Sequence, residues 1–175
     1  MFEPRWGARN RVERFLSSLT RYSIFGSSQH VLFLRLYEDP FKFVEENCRK
    51  FRDEPLLLRI IPVDIVCQPK TSVFAREACR ILSGKVLESD KIAIRVEGSI
   101  VDLDGERKLH KSEVIEAIVA SCEEKYKVDL SNPSLVVLVK SVSVYRGSQR
   151  YVAISVVRPN QIYSRNSSRL TCLSP

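Results

Sequence analysis

The ten residues Leu135–Val144 constrain the fold of the chain more than any other segment does. Five of the ten are valine and two are leucine, so the run is almost continuously apolar. Such a run is typical of a strand at the centre of a sheet, covered on both faces. The rest of the chain alternates between helix and strand patterns, and its 175 residues suffice for two small domains. We therefore expect a mixed α/β chain of the α+β class.

The first half of the chain predicts a ferredoxin-like domain over residues 1–68. Residues 9–20 place their apolar side chains on one helical face. Asp39 followed by Pro40 predicts the start of a second helix, with Asp as N-cap and Pro in the first turn. Strand patterns occupy residues 2–6, 22–25, 30–37 and 56–66. This order matches a split βαβ unit.

The second half, residues 69–162, predicts a mixed sheet flanked by helices. Thr71 or Ser72 can cap one helix, and Ser112 can cap another. The alternation over residues 91–96 predicts a half-buried strand that presents Arg95 on its polar side. Together with the central strand, these elements form the second domain.

Positive charge is concentrated at the C-terminal end. The chain carries 28 Lys and Arg against 21 Asp and Glu, for a net charge of +7. The last thirty residues contain no acid and five arginines, namely Arg146, Arg150, Arg158, Arg165 and Arg169. Arginine binds phosphate bidentately, so this stretch points to an anionic partner. A solvated, flexible basic tail over residues 163–175 explains the composition equally well.

Sequence patterns for catalysis and for cofactor or metal binding are absent. The six glycines form no phosphate-binding loop. The five cysteines lack the paired spacing of a zinc site, and the two histidines, His30 and His110, are isolated. From these absences we expect no metal, no cofactor and no enzymatic activity.

The cysteines and the hydropathy pattern both favour a cytoplasmic protein. Cys48, Cys79 and Cys122 fall on apolar helix faces, where we interpret them as small hydrophobic residues in a reducing compartment. No apolar run approaches the roughly 18 residues of a membrane span. The N-terminal residues also lack the apolar stretch of a secretory signal.

A more specific pattern, VDL-x-NP, ends at Asn132-Pro133, which predicts an extended entry into the central strand. It resembles the hallmark of the THUMP domain, a module of tRNA-modifying enzymes. Two further segments resemble stand-alone THUMP proteins that assist tRNA cytidine acetylation. They are Arg59–Val63, which reads R-x-IPV, and Val157–Pro159, which is similar to a VLRP segment. The resemblance covers roughly residues 9–162.

This resemblance implies a ferredoxin-like domain over residues 1–68 and a THUMP domain over residues 69–162 that together bind tRNA near its acceptor end. It further implies a non-catalytic adaptor that presents tRNA to an acetyltransferase forming N4-acetylcytidine. A protein–protein scaffold in an RNA-processing complex, with an incidental basic surface, is the alternative hypothesis.

The predicted RNA contacts are basic side chains, because A-form RNA is bound mainly through phosphates and 2′-hydroxyls. The candidates are Arg59, Lys70, Arg76, Arg95, Lys108, Lys111, Arg146, Arg150 and Arg158. The chain departs from the family pattern at residues 97–99, Glu-Gly-Ser, where many relatives carry basic residues. Some phosphate contacts would therefore be missing or moved toward residues 107–111. Other roles are open: Arg95 could pair with Glu97, and the stem of Arg158 could pack on the sheet edge.

Overall fold

The computed structural model describes residues 1–28, 31–122, 125–144 and 149–165. Within them the contacts define two compact units. Of the described residues, the N-terminal unit contains those within 1–62, 144 and 159–165, and the second unit contains those within 63–143 and 149–158. Two sequence predictions, Arg146 as an RNA contact and most of the basic tail, fall outside the described residues.

The elements confirm the α+β prediction. In chain order they are β1 (Phe2–Pro4), α1 (Arg9–Ser17), β2 (Tyr22–Ser28), β3 (Val31–Leu36), α2 (Pro40–Asp53), β4 (Leu57–Ile60), β5 (Ile65–Cys67), α3 (Thr71–Lys85), β6 (Lys91–Glu97), β7 (Val101–Asp102), β8 (Arg107–Lys108), α4 (Lys111–Ser121), β9 (Lys127–Val128), β10 (Leu135–Val144), β11 (Gln149–Val157) and β12 (Tyr163–Ser164). No helix of the described ranges is long and apolar enough to cross a membrane.

The sheet of the N-terminal unit has the strand order β12-β4-β1-β3-β2. Its last four strands, with α1 and α2, have the ferredoxin-like order, and neighbouring strands are antiparallel. The start of α2 follows the sequence prediction, because the Asp39 carboxylate accepts from the N–H groups of Phe41 and Lys42 at 2.7 and 3.1 Å. Val12, Leu16 and other apolar residues of the helices form the core of this unit.

The chain returns to the N-terminal sheet after the second unit is complete. Tyr163 pairs with Ile60 in register and is 1% exposed, and its hydroxyl donates to the carbonyl of Phe51 at 2.9 Å. The Arg165 guanidinium donates to the carbonyls of Arg52 and Glu54 at 3.1 and 2.7 Å, where α2 ends. The sequence analysis predicts a flexible tail from residue 163. The structure differs for residues 163–165, because the buried Tyr163 side chain anchors them to the N-terminal sheet.

The sheet of the second unit has the order β5-β11-β10-β6-β9, with β10 at its centre as predicted. The pairs β6–β10 and β6–β9 are parallel, and β5–β11 is antiparallel. Helices α3 and α4 pack together and contribute Phe74, Val114 and Ile118 to a core with the apolar side chains of β6, β10 and β11.

A disulfide between Cys79 of α3 and Cys122, the residue after α4, joins these two helices, with a Cα–Cα distance of 5.4 Å. The sequence interpretation of both residues as small hydrophobic side chains is therefore wrong. The periodicity of each helix shows that a cysteine is on the inner face, but it does not show which residue of another helix lies opposite.

Candidate nucleic-acid interface

Both helices of the second unit, α3 and α4, begin at the same edge of its sheet. Strands β10 and β11 are neighbours separated by only four residues, which permits an antiparallel pairing alone. Because β11 is also antiparallel to β5 and β10 is parallel to β6, the carboxyl ends of β5, β6 and β10 share one edge. The helix-start edge, as we call it, comprises residues 68–71, 97–111 and 149–150. Backbone N–H groups and positive helix dipoles concentrate at such an edge.

The β7–β8 hairpin is fastened to the start of α3. The Leu103 N–H donates to the Pro69 carbonyl at 2.9 Å, and the Asp102 carboxylate accepts from the Thr71 N–H at 3.1 Å. Asp102, rather than Thr71 or Ser72, therefore caps α3. The ammonium group of Lys70 lies 3.1 Å from the Asp104 carboxylate. The predicted contact Lys70 is thus at the helix-start edge, partly neutralised by the hairpin.

The start of α4 is organised by Glu113. Its carboxylate accepts from the backbone N–H of His110 at 2.7 Å, so His110 and not Ser112 is the N-cap residue. The same carboxylate lies 2.7 Å from the Arg107 guanidinium. The hydrogen bond from Arg107, followed by that from the His110 N–H, lowers the pKa of Glu113 to about 2. Arg107 is therefore committed to an internal ion pair.

The neighbouring cations Lys108 and Lys111 are not committed in this way. Both are exposed, and neither makes an ion pair in the part of the chain that the structure describes. Arg150, the second residue of β11, is also exposed at this edge. The fold therefore brings Lys108, Lys111 and Arg150 to one edge and leaves their charges available to an anion.

Two other candidates are exposed at different places in the second unit. Arg95 is in the middle of β6, in register with Leu138 of β10. The pairing of Arg95 with Glu97 does not form, and Glu97 instead lies 3.1 Å from the ammonium group of Lys140. Arg76 is exposed in the second turn of α3.

Arg158 is at the opposite edge from the helix starts and has a structural role. Its Nη1 and Nη2 donate to the two carboxylate oxygens of Asp90 at 2.9 and 3.1 Å. Asp90 is 6% exposed and also accepts from the Ser134 hydroxyl at 2.6 Å. The Arg158 hydrogen bonds are the largest cause of a pKa of Asp90 far below the usual range. Arg59 belongs to the N-terminal unit, where it faces Glu3 and Ser164 across the sheet.

The VDL-x-NP motif is a structural turn at this opposite edge. One carboxylate oxygen of Asp129 accepts from the N–H groups of Ser131 and Asn132 at 3.0 and 2.9 Å. The other lies 3.1 Å from the ammonium group of Lys91, at the start of β6. The hydrogen bond from Asn132, followed by that from Lys91, lowers the pKa of Asp129. The motif therefore ties the entry of β10 to β6 and does not itself form a cationic surface.

A second concentration of arginines, missed by the sequence analysis, lies in the N-terminal unit. Residues 5–21 contain five arginines and a single acid, Glu13. Charge counted over the whole segment 1–55 hides this local excess, because acids outside both residues 5–21 and α2, such as Glu38, Asp39 and Glu54, offset it. A count over a shorter window would have found it. In the described ranges, no three His, Cys, Asp or Glu side chains are grouped to hold a metal ion.

No protein-family model matches the chain, and no curated protein matches it significantly. Solved structures do match. PH1313 from Pyrococcus horikoshii Ot3 is 14% identical with a TM-score of 0.51, over 90% of this chain and 54% of that one. TrmN from Thermus thermophilus is 16% identical with a TM-score of 0.50, over 87% of this chain and 43% of that one. A 4-thiouridine synthetase, solved in complex with RNA and ATP, is 13% identical with a TM-score of 0.50, over 90% of this chain and 41% of that one.

These similar structures are THUMP-domain proteins, and the likeness supports the THUMP fold that the VDL-x-NP motif predicted. At this level of identity it defines the fold alone. The chain spans about half, or less, of each of these proteins.

The comparison also corrects the expectation that the chain is not an enzyme. That expectation came from the absence of recognisable catalytic patterns. The 4-thiouridine synthetase is an enzyme, and its structure matches 90% of this chain. The absence of recognisable catalytic patterns therefore does not show that a chain of this fold lacks enzymatic activity. The prediction of no enzymatic activity is wrong as drawn from that absence.

Proposed function

We propose that the chain binds tRNA through the helix-start edge of its second unit and presents it to a tRNA-modification enzyme. The observation that carries this proposal is the group of exposed cations, Lys108, Lys111 and Arg150, gathered where two helices begin. Phosphate is the natural anion for such an edge, and phosphates supply most of the affinity for RNA. The RNA complex of the 4-thiouridine synthetase, which shares the fold, supports the same ligand class.

The finer part of the proposal concerns the reaction. The segments Arg59–Val63 and Val157–Pro159 resemble proteins that assist tRNA cytidine acetylation, so we assign the chain to N4-acetylcytidine formation as an adaptor. The acceptor end of tRNA is the proposed contact region.

Binding is tested by fluorescence anisotropy of labelled tRNA over a range of salt concentrations. The double variant K108E/K111E should bind more weakly, and the slope of log affinity against log salt should fall by about 2. K125E/K127E is the matched control, because it makes the same charge change at the opposite edge, where β9 pairs with the start of β6. Equal loss in both variants would reduce the interface to a diffuse net charge. Trimming the single-stranded 3′ end of the tRNA should weaken binding if the acceptor end is contacted.

The adaptor role is tested with a purified tRNA cytidine acetyltransferase and acetyl-coenzyme A. Wild-type protein should raise the yield of N4-acetylcytidine, and K108E/K111E should not. Stimulation that is unchanged by the double variant would favour the scaffold hypothesis.

A further inference from the structure

The N-terminal unit presents Trp6, the only tryptophan of the chain, on a tight turn. The indole is 75% exposed. The Arg5 N–H donates to the Leu56 carbonyl at 2.7 Å, and the Ala8 N–H closes the turn by donating to the Arg5 carbonyl at 2.9 Å. Gly7, at the third position of the turn, has φ of +75°, which favours glycine. A large apolar ring is thus held in solvent by a hydrogen-bonded backbone.

Arginines surround this turn. It lies where α1 begins and α2 ends, since Arg11 of α1 lies 3.1 Å from Glu54. Five arginines are at this edge against three acids: Arg5, Arg9, Arg11, Arg52 and Arg165 against Glu13, Asp53 and Glu54. We call this set the arginine edge. In the described structure Arg5 makes no ion pair, and Arg11 donates to the Glu54 carboxylate through Nε.

A second exposed aromatic residue provides the contrast. Tyr37 is 74% exposed, nearly as much as Trp6, and follows β3. Because β1 and β3 are antiparallel, Tyr37 lies at the other edge of the same sheet. There Glu38 and Asp39 are balanced by two arginines, Arg21 and Arg35, so the surroundings of Tyr37 carry no excess of arginine. Exposure alone therefore does not distinguish the two rings, but the charge around them does.

We propose that Trp6 stacks on an unpaired RNA base while arginines of the arginine edge hold the adjoining phosphates. This inference rests on the proposed RNA-binding function and adds a second contact region to it. Indole is a strong stacking platform for any base, and arginine neutralises the phosphate that accompanies the base. Bases inside a duplex are already stacked, so the ligand must be a single-stranded segment.

The sole tryptophan makes the test specific, because fluorescence excited at wavelengths that tyrosine does not absorb reports Trp6 alone. Titration with an oligoadenylate of about ten nucleotides should quench the emission, and a blunt RNA duplex of equal length should quench it much less. With fluorescein-labelled oligoadenylate, W6A should lose about tenfold in affinity, the effect expected of one stacked base, and W6F should lose less. Y37A, the matched control, should bind as wild type does.

Circular dichroism should show W6A folded, because the ring makes few contacts in the protein. Equal affinity of W6A and wild type for oligoadenylate, or binding without quenching, would overturn the stacking proposal. The proposed function is distinguished by the K108E/K111E variant. If that variant loses tRNA affinity while W6A does not, RNA binding at the helix-start edge stands and stacking fails. If neither tRNA nor oligoadenylate binds wild type, both proposals fail.

Discussion

The guanidinium of Arg158 holds both carboxylate oxygens of Asp90, across 68 residues of sequence. This bidentate pair joins the residue after β11 to the residue before β6. Asp90 is almost fully buried, whereas the Arg158 side chain is 35% exposed. Arg158, a predicted RNA contact, thus fastens the second sheet at the edge away from the helix starts.

Replacing Arg158 should therefore affect stability more than RNA binding. R158A leaves the Asp90 carboxylate buried with only the Ser134 hydroxyl and a backbone N–H. We expect a loss of about 2–3 kcal/mol in the free energy of unfolding, below the cost of breaking a fully buried pair because Arg158 is partly exposed. Urea denaturation measures this loss, with R150A as the control. A drop in tRNA affinity for folded R158A equal to that of R150A would contradict the structural role.

The same pair predicts how stability depends on pH. The pKa of Asp90 is lowered in the folded protein, so its stabilising contribution is complete above the unfolded value of about 3.9 and declines as pH falls below it. Denaturation at a series of pH values between 7 and about 2.5 should show wild type losing stability faster than D90N. Parallel pH profiles for the two proteins would show that the carboxylate of Asp90 is not selectively stabilised by folding.

The disulfide between Cys79 and Cys122 closes a loop of 43 residues. In the chain-entropy model such a loop contributes about 4 kcal/mol to stability. The variant C79S/C122S should therefore lower the melting temperature by roughly 10 °C. Reduction should lower it at least as much, because Cys48 is also disulfide-bonded. Mass spectrometry after alkylation without reductant should find both residues unmodified, and their alkylation would contradict the bridge.

Cys67 is the internal control for that experiment. It is a free thiol, and burial followed by the charge of Glu77 raises its pKa to about 11. The thiolate is the reactive form, so Cys67 should react slowly at pH 8 with or without reductant. C67S should leave the melting temperature shift on reduction unchanged.

The Asp129 turn should stabilise the fold without contacting RNA. D129A removes two backbone hydrogen bonds and the ion pair with Lys91, so it should lower the free energy of unfolding. E116A, which removes an exposed acid that makes no ion pair in the described structure, should change stability little. tRNA affinity of folded D129A should match that of E116A, and a clear difference would make the motif part of the interface.

Local patterns predicted those parts of the structure that depend on local physics. The central strand β10 follows from an apolar run, and the start of α2 follows from Asp39 and Pro40. The partner of Arg158 could not be predicted, because parallel pairing of β6 with β10 brings Asp90 near it from far along the chain. The ion pair between Glu113 and Arg107 could likewise not be predicted, and it occupies a cation of the segment 107–111 toward which phosphate contacts were expected to move. Trp6 has no periodic neighbours, so only the three-dimensional structure shows that its ring lies in solvent.

The order in which the sheet of the N-terminal unit is completed has a consequence for synthesis. Its edge strand, β12, leaves the ribosome only after the whole second unit. Until then Ile60 and Phe51 lack the Tyr163 ring that covers them in the finished protein. A nascent chain or a truncated fragment ending near residue 158 exposes an unpaired strand and an apolar cleft, which are features that chaperones bind and that promote aggregation.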